Sequence, residues 1–336
     1  SRSTGADQAM TRLSILDLVP VREGGSVSEA LNDATELARS AEQFGYDRFW
    51  VAEHHAMDGI AGGATSVVLA HIGNATSHIR IGSGGIMLPN HTPFQIAEQF
   101  GTLDALFPGR IDLGLGRAPG AGPELQRALR KNLHQAAEMF PQDVMELRAL
   151  ITGDVELPIY ATPGRGAQIE FWMLGSSLFG AQLAAKLGMP YAFAAHFAPD
   201  HLDAALALYR RDFQPSEQFA QPHVMVAMNV FAADTEVKAQ LFATSQQQSF
   251  VRLRSGNPGK LPPPIADYSS TLPAPAQAML AHLGQAAAVG TPAQIKDSIS
   301  AFVDRTQADE IIVCGATYDP EARVRSLDLT MQAVNG

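Results

Sequence analysis

The chain alternates, almost without a break, between short runs dense in apolar residues and longer stretches with helical periodicity. "LSILDLVP" is followed by the amphipathic "SVSEALNDATELARSAEQFG", where Ser28 is placed to cap a helix and Gly45 to stop it. "RFWVAEH" precedes "GATSVVLAHIGNAT", and "RIGSGGIML" precedes "PFQIAEQFGTLDALF". "RIDLGLGRA" precedes an irregular stretch and then "FPQDVMELRALIT". "FWMLGSS", "YAFAAHF", "HVMVAMNVFAA" and "EIIVCGA" each lead into a further helical pattern, giving eight strand candidates in all. Strands that are apolar on both faces and joined by helices form parallel sheets covered on both sides. Eight such units predict a (β/α)8 TIM barrel with insertions at its C-terminal face, with an open doubly wound sheet as the competitor.

Two segments break the rhythm. One is "PGAGPELQRALRKNLHQAAEM", after the fourth strand. The other is residues 250–289, with "NPGKLPPPIADYSS" and "LPAPAQ". Its prolines argue against a central strand or a regular helix. A long proline-rich insertion in a compact domain predicts a mobile cover over the barrel mouth. The rest reads as one domain over residues 11–336, after a polar extension over 1–10 that is expected to be disordered.

Charge and cysteine usage narrow the function. The chain carries 24 Lys plus Arg against 34 Asp plus Glu, a net charge of −10, and no basic run. Nucleic acid and an anionic membrane surface are therefore not its expected partners. Its single cysteine, Cys314, excludes an intramolecular disulfide, fits a reducing compartment and reads as an inert buried thiol. No apolar run approaches the ~20 residues of a membrane helix. A soluble cytoplasmic protein is expected.

In a barrel of this kind, reactive residues gather where the strands end. Strand two ends on Glu53, His54 and His55; strand three carries Ser83, Gly84 and Gly85 and runs on to Pro89, Asn90 and His91. Strand four ends in Gly114, Gly116 and Arg117, strand five in Gly175, Ser176 and Ser177, and strand six at His196. Each feature has a plain structural reading: paired histidines are often hydrogen-bonded loop residues, and a serine before a helix is often only its cap. His71 and His78 read as structural. "EHH" lacks the HExxH spacing, so no metal is expected, and the glycines of "GLGRAPG" are not spaced as a dinucleotide fingerprint. Taken together, however, a glycine floor, a hydroxyl-bearing helix start, an arginine and a histidine pair suit a flat ring system carrying a phosphate.

"WVAEHH", "GSGGIMLPNHTPFQIAEQFGTLDALFPGRIDLGLGRAPG" and "LGSS…AAKLGMP", in this order, resemble the bacterial luciferase-like flavin-dependent monooxygenases, in particular proteins similar to the alkanal monooxygenase α chain. The resemblance implies a barrel that binds reduced FMN supplied by a separate flavin reductase. Oxygen would add to the flavin as a C4a-peroxide, which oxidises a small organic substrate, an aldehyde or another apolar compound. It implies His54 as the active-site histidine, with Glu53 and His55 supporting it. It implies Gly84-Gly85 as a non-prolyl cis pair facing the flavin ring. Arg117 is implied as a phosphate ligand, and Ser176-Ser177 as a second cis pair at the phosphate-binding helix start. It also implies a homodimer through the helices after strands two and three. The chain departs from luciferase α chains in having Gly116 where they have a cysteine and Ser176 where they have a glutamate. A second phosphate-binding arginine is not fixed; Arg127, Arg130 and Arg165 are the candidates. Two alternatives stand beside this reading: a deazaflavin-dependent oxidoreductase on the same fold, and a flavin-binding protein without turnover.

Overall fold

The computed structural model describes residues 10–118 and 122–336. All of the expected N-terminal extension except Met10, together with Pro119, Gly120 and Ala121 of the fourth-strand loop, lies outside the described residues.

Nine strands run through the described residues: β1 (Arg12–Asp17), β2 (Arg48–Val51), β3 (Arg80–Met87), β4 (Ile111–Gly116), β5 (Glu170–Gly175), β6 (Tyr191–Phe193), β7 (Val224–Ala232), β8 (Ala287–Gly290) and β9 (Glu310–Cys314). The first seven pair in sequence and in parallel, and β9 lies between β7 and β1, closing an eight-stranded ring. The helices are α1 (Val27–Phe44), α2 (Thr65–Ala75), α3 (Pro93–Leu106), α4 (Pro123–Leu129), α5 (Leu133–Glu138), α6 (Phe140–Thr152), α7 (Leu178–Leu187), α8 (Leu202–Asp212), α9 (Glu236–Arg254), α10 (Ala274–Leu283), α11 (Pro292–Thr306) and α12 (Pro320–Asn335). This is the (β/α)8 barrel that the alternation predicts.

Strand alternation divides the apolar residues into two populations. Leu16, Trp50, Trp172, Met225 and Ile312 fill the barrel interior. Their neighbours, such as Ile15, Phe49, Val51, Phe171 and Val313, pack against the helix layer in the larger cluster. The base of the interior is polar. Arg48, 3% exposed, pairs with Glu310 at 3.0 Å, Asp112 at 2.9 Å and Glu170 at 2.9 Å, while Trp50 Nε1 donates to Asp112 at 2.9 Å. The charges compensate one another, which is the condition for burying them.

Four local expectations are corrected. The first helix is capped by Ser26, whose hydroxyl accepts from Glu29 N at 3.1 Å, and Ser28 lies inside it; Gly45 stops it in the left-handed conformation at φ 91°. The irregular stretch after β4 contains two short helices, α4 and α5. Strand six ends at Phe193, so His196 stands on the turn that follows. Residues 250–289 are not free of regular structure. They begin inside α9, contain α10 with prolines ahead of and within its first turn, and run into β8, which pairs with the far end of β7. Proline is tolerated at a helix start because the N–H it lacks has no partner there. Backbone hydrogen bonds between Leu261 and both Val21 and Glu23 tie the segment to the loop after β1.

Candidate active site

Glu53 follows β2 and is 2% exposed. Its carboxylate accepts from Met87 N at 3.1 Å and from the imidazoles of His55 at 2.5 Å and His91 at 2.8 Å. It thereby fastens the end of β2 to the end of β3. Burial alone would raise its pKa, but the two histidine hydrogen bonds outweigh that and hold it at about 2. The same bond raises the pKa of His55. Glu53, His55 and His91 form a group of metal-ligating residue types, but their mutual contacts are hydrogen bonds that already use the carboxylate.

His54 lies between these two anchors and makes no ring hydrogen bond among the described residues. Burial lowers its pKa, against the pull of the Glu53 carboxylate and with help from His55. The bond to Glu53 thus favours the protonated form of His55, while burial favours the neutral imidazole of His54, a ring able to accept or give a proton.

On the neighbouring strand, Gly84 and Gly85 lie within β3. Their peptide bond is cis. The β3–β4 register shifts between Ser83 and Ile86, and Ser83 Oγ bridges the gap by donating to Gly114 O at 2.8 Å and accepting from Gly114 N at 3.0 Å. A Cβ on Gly84 would stand 2.6 Å from Leu16 Cδ1, and one on Gly85 would stand 2.9 Å from Gly114 O. At Gly85 the obstacle is backbone, so space alone demands glycine there; at Gly84 it is the end of the Leu16 side chain, which would have to move.

Arg117 is exposed and reaches the start of α7, where its guanidinium lies 4.1 Å from the ring centre of Phe179. Ser177 is the N-cap residue of α7, yet its hydroxyl caps nothing. An uncapped helix start, a free hydroxyl and an arginine are therefore neighbours. The Ser176–Ser177 bond, which the resemblance implied as a second cis pair, is trans, Gly84–Gly85 being the one cis bond among the described residues. Of the candidate second arginines, Arg127 and Arg130 belong to α4 and its C-cap, on the same face as Arg117. Arg165 precedes β5, at the opposite end of the barrel, and stacks on Tyr160 at 3.8 Å. Cys314 is buried, and burial pushes its thiol pKa up, away from reactivity.

Sequence reasoning did not assign a role to His91, whose partnership with Glu53 depends on how β2 and β3 line up. Nor did it anticipate Phe179 as the support for Arg117.

The described fold agrees with what comparison with known proteins finds. A family model described as luciferase-like monooxygenase matches residues 11–309. The chain belongs to this family. A luciferase-like monooxygenase of Escherichia coli (strain K12) is 47% identical over 319 residues, 95% of each chain. The N-acetyl-S-alkylcysteine monooxygenase of Bacillus subtilis (strain 168) is 37% identical over 255 residues, 74% of this chain and 75% of that one. The solved structure of apo-MsnO8 superposes with a TM-score of 0.89 at 34% identity, covering 96% of this chain and 98% of that one. Two structures share the fold alone: the oxygenating constituent of 3,6-diketocamphane monooxygenase in complex with FMN (TM-score 0.72, 18% identity) and an F420-dependent secondary alcohol dehydrogenase (TM-score 0.67, 15% identity). Among the described residues no helix is long and apolar enough to cross a membrane.

Proposed function

We propose that the protein is a cytoplasmic flavin-dependent monooxygenase that takes reduced FMN from a separate flavin reductase and uses O2 to oxidise a small organic substrate. The observation that carries this reading is the meeting of Arg117 with the uncapped start of α7, on the same barrel face as His54 and the glycine floor. A helix start offers backbone N–H groups and the positive end of its dipole, and a guanidinium matches phosphate oxygens. Gly84 and Gly85, lacking side chains, let a planar ring approach the backbone. These residues fit FMN, with Arg117, Ser176 and Ser177 on its phosphate and Gly84 and Gly85 under its ring.

Bound reduced flavin supplies the activation of oxygen. The chain supplies the rest. His54 holds or moves a proton at a ring nitrogen, and its depressed pKa keeps it available at neutral pH. Glu53 fixes the loop that carries it. The apolar wall beneath, with Leu16, Trp50 and Leu174, keeps water from the reacting face.

The test is oxygen uptake by the purified protein with FMNH2, run against reduced deazaflavin. Long-chain aldehydes and N-acetyl-S-alkylcysteines, the latter suggested by the name of one relative, are the first substrates to try. Oxygen-dependent product with FMNH2 is expected. Hydride transfer from reduced deazaflavin without oxygen, or flavin binding with no turnover, contradicts the proposal.

A further inference from the structure

We infer that His196 is a second active-site histidine, whose ring donates or accepts a hydrogen bond with an uncharged polar group of the bound flavin or of the organic substrate. The inference rests on the flavin site proposed above and adds to it a residue from the opposite wall.

The topology sets the distance that the two rings must bridge. His54 follows β2 and His196 follows β6. Three strands separate these two in either direction round the ring, β3, β4 and β5 one way and β1, β9 and β7 the other. Residues after opposite strands meet only if their side chains lean over the centre of the mouth. The two imidazoles are near enough that a charge on His54 opposes one on His196.

The backbone of His196 is held firmly while its ring is not. Asn229 on β7 donates from Nδ2 to the His196 carbonyl at 2.9 Å. Asn229 Oδ1 in turn accepts from Gln246 Nε2 at 2.7 Å, and Gln246 Oε1 accepts from Ala316 N at 2.7 Å. Two polar side chains, on β7 and α9, and a backbone N–H of the loop after β9 thus fix the position of this turn. Next to it, Phe197 packs edge-on against Phe250, and Arg254 covers both rings at 5.0 Å. Nδ1 of the His196 ring is nevertheless buried with no partner. A buried polar atom without a partner is costly, and an imidazole on a fixed backbone left in that state calls for a group that arrives with a ligand.

The chemical class follows from the charges around it. The titratable group that acts on the ring is the His54 imidazole, and the side chain on its carbonyl is an amide. Burial, then the opposing charge of His54, push the pKa of His196 down to about 4, so the ring is neutral at pH 7. A neutral imidazole in a low-dielectric wall suits a carbonyl, amide or hydroxyl rather than a carboxylate.

The experiment is nuclear magnetic resonance of protein labelled with 15N-histidine, in wild type and in His54→Gln. His54→Gln should move the titration of His196 upward, because the opposing charge is gone. FMN alone should shift the His196 ring signals if the flavin supplies the partner; FMN with decanal should shift them if a substrate carbonyl does. His196→Leu should lower coupled turnover at least tenfold and His196→Asn, which retains an amide near Nδ1, should recover part of it. A His196 titration indifferent to His54→Gln, or ring signals unchanged by FMN with and without decanal, overturns the inference. Failure of the wild type to bind FMN in a fluorescence titration sinks the FMN reading instead, and reduced deazaflavin then replaces FMN in the ligand arms, where unchanged His196 signals again overturn the inference.

Discussion

At the residue scale, the account turns on how charge is shared among neighbouring histidines. Glu53 takes one hydrogen bond each from His55 and His91, and His54, between the anchored groups, is left neutral and unpartnered. His54→Ala should bind FMNH2 nearly normally but lose ~10²–10⁴-fold in substrate oxidation, the usual range for a general acid–base residue. Peroxide release per oxygen consumed should rise, and stopped-flow flavin spectra with a peroxide assay check both. A variant that oxidises substrate at the wild-type rate makes "AEHH" a structural motif only. The sequence alone makes His54 visible, through its place at a strand end. It does not reveal why Glu53 is there, because the reason is a contact with Met87 and His91 across the β2–β3 junction. His196 was read as the end of strand six, which stops at Phe193, and its nearness to His54 depends on the closure of the ring.

At the element scale, β3 and the 250–289 segment carry the predictions. Gly85→Ala brings a methyl group to 2.9 Å from the Gly114 carbonyl, backbone that cannot swing aside. It should cost about 1–3 kcal/mol of stability, as overpacking does, and weaken flavin binding as well. Thermal unfolding and a flavin titration read the two effects separately. The inserted segment should be nicked by protease before the barrel, and bound flavin should protect it; equal resistance with and without flavin leaves it without a covering role. Its prolines were legible in the sequence, but their meaning was not. Two of them stand at the start of a helix, Pro273 as its N-cap and Pro275 in its first turn, where the missing N–H has no consequence, and four residues too few to stand out as a strand form β8. The alternation of the eight barrel strands was legible because parallel strands covered on both faces must be apolar throughout.

At the scale of the whole molecule, the buried charges at the base of the barrel govern stability against acid. Burial would raise the pKa of Glu310, but the hydrogen bond from His223 and the charges of Arg48 and Arg12 hold it at about 2. A depressed carboxylate pKa contributes stability that is complete above its ordinary value of 4.5 and is lost as pH falls toward 2. Denaturant midpoints should therefore drop through that window, and Glu310→Gln should flatten the dependence while destabilising the protein at pH 7 by about 3–5 kcal/mol, the cost of leaving Arg48 short of a partner. This network escaped the sequence reading because Arg48, Glu170 and Glu310 each stand at the first residue of a strand, and Asp112 at the second, where charges look like flanks. The molecule is also expected to be a homodimer through α2 and α3, where Val67 and Leu106 are exposed; a monomeric mass at micromolar concentration counts against it. The central claim, that this barrel face holds the phosphate of FMN, is tested most directly by comparing FMN and riboflavin affinities in wild type and Arg117→Ala. Each charge-assisted bond to the phosphate is worth about 1.5–3 kcal/mol, so the variant should bind FMN at least tenfold more weakly and riboflavin nearly as before. Equal losses for both flavins, or none for either, would contradict the account.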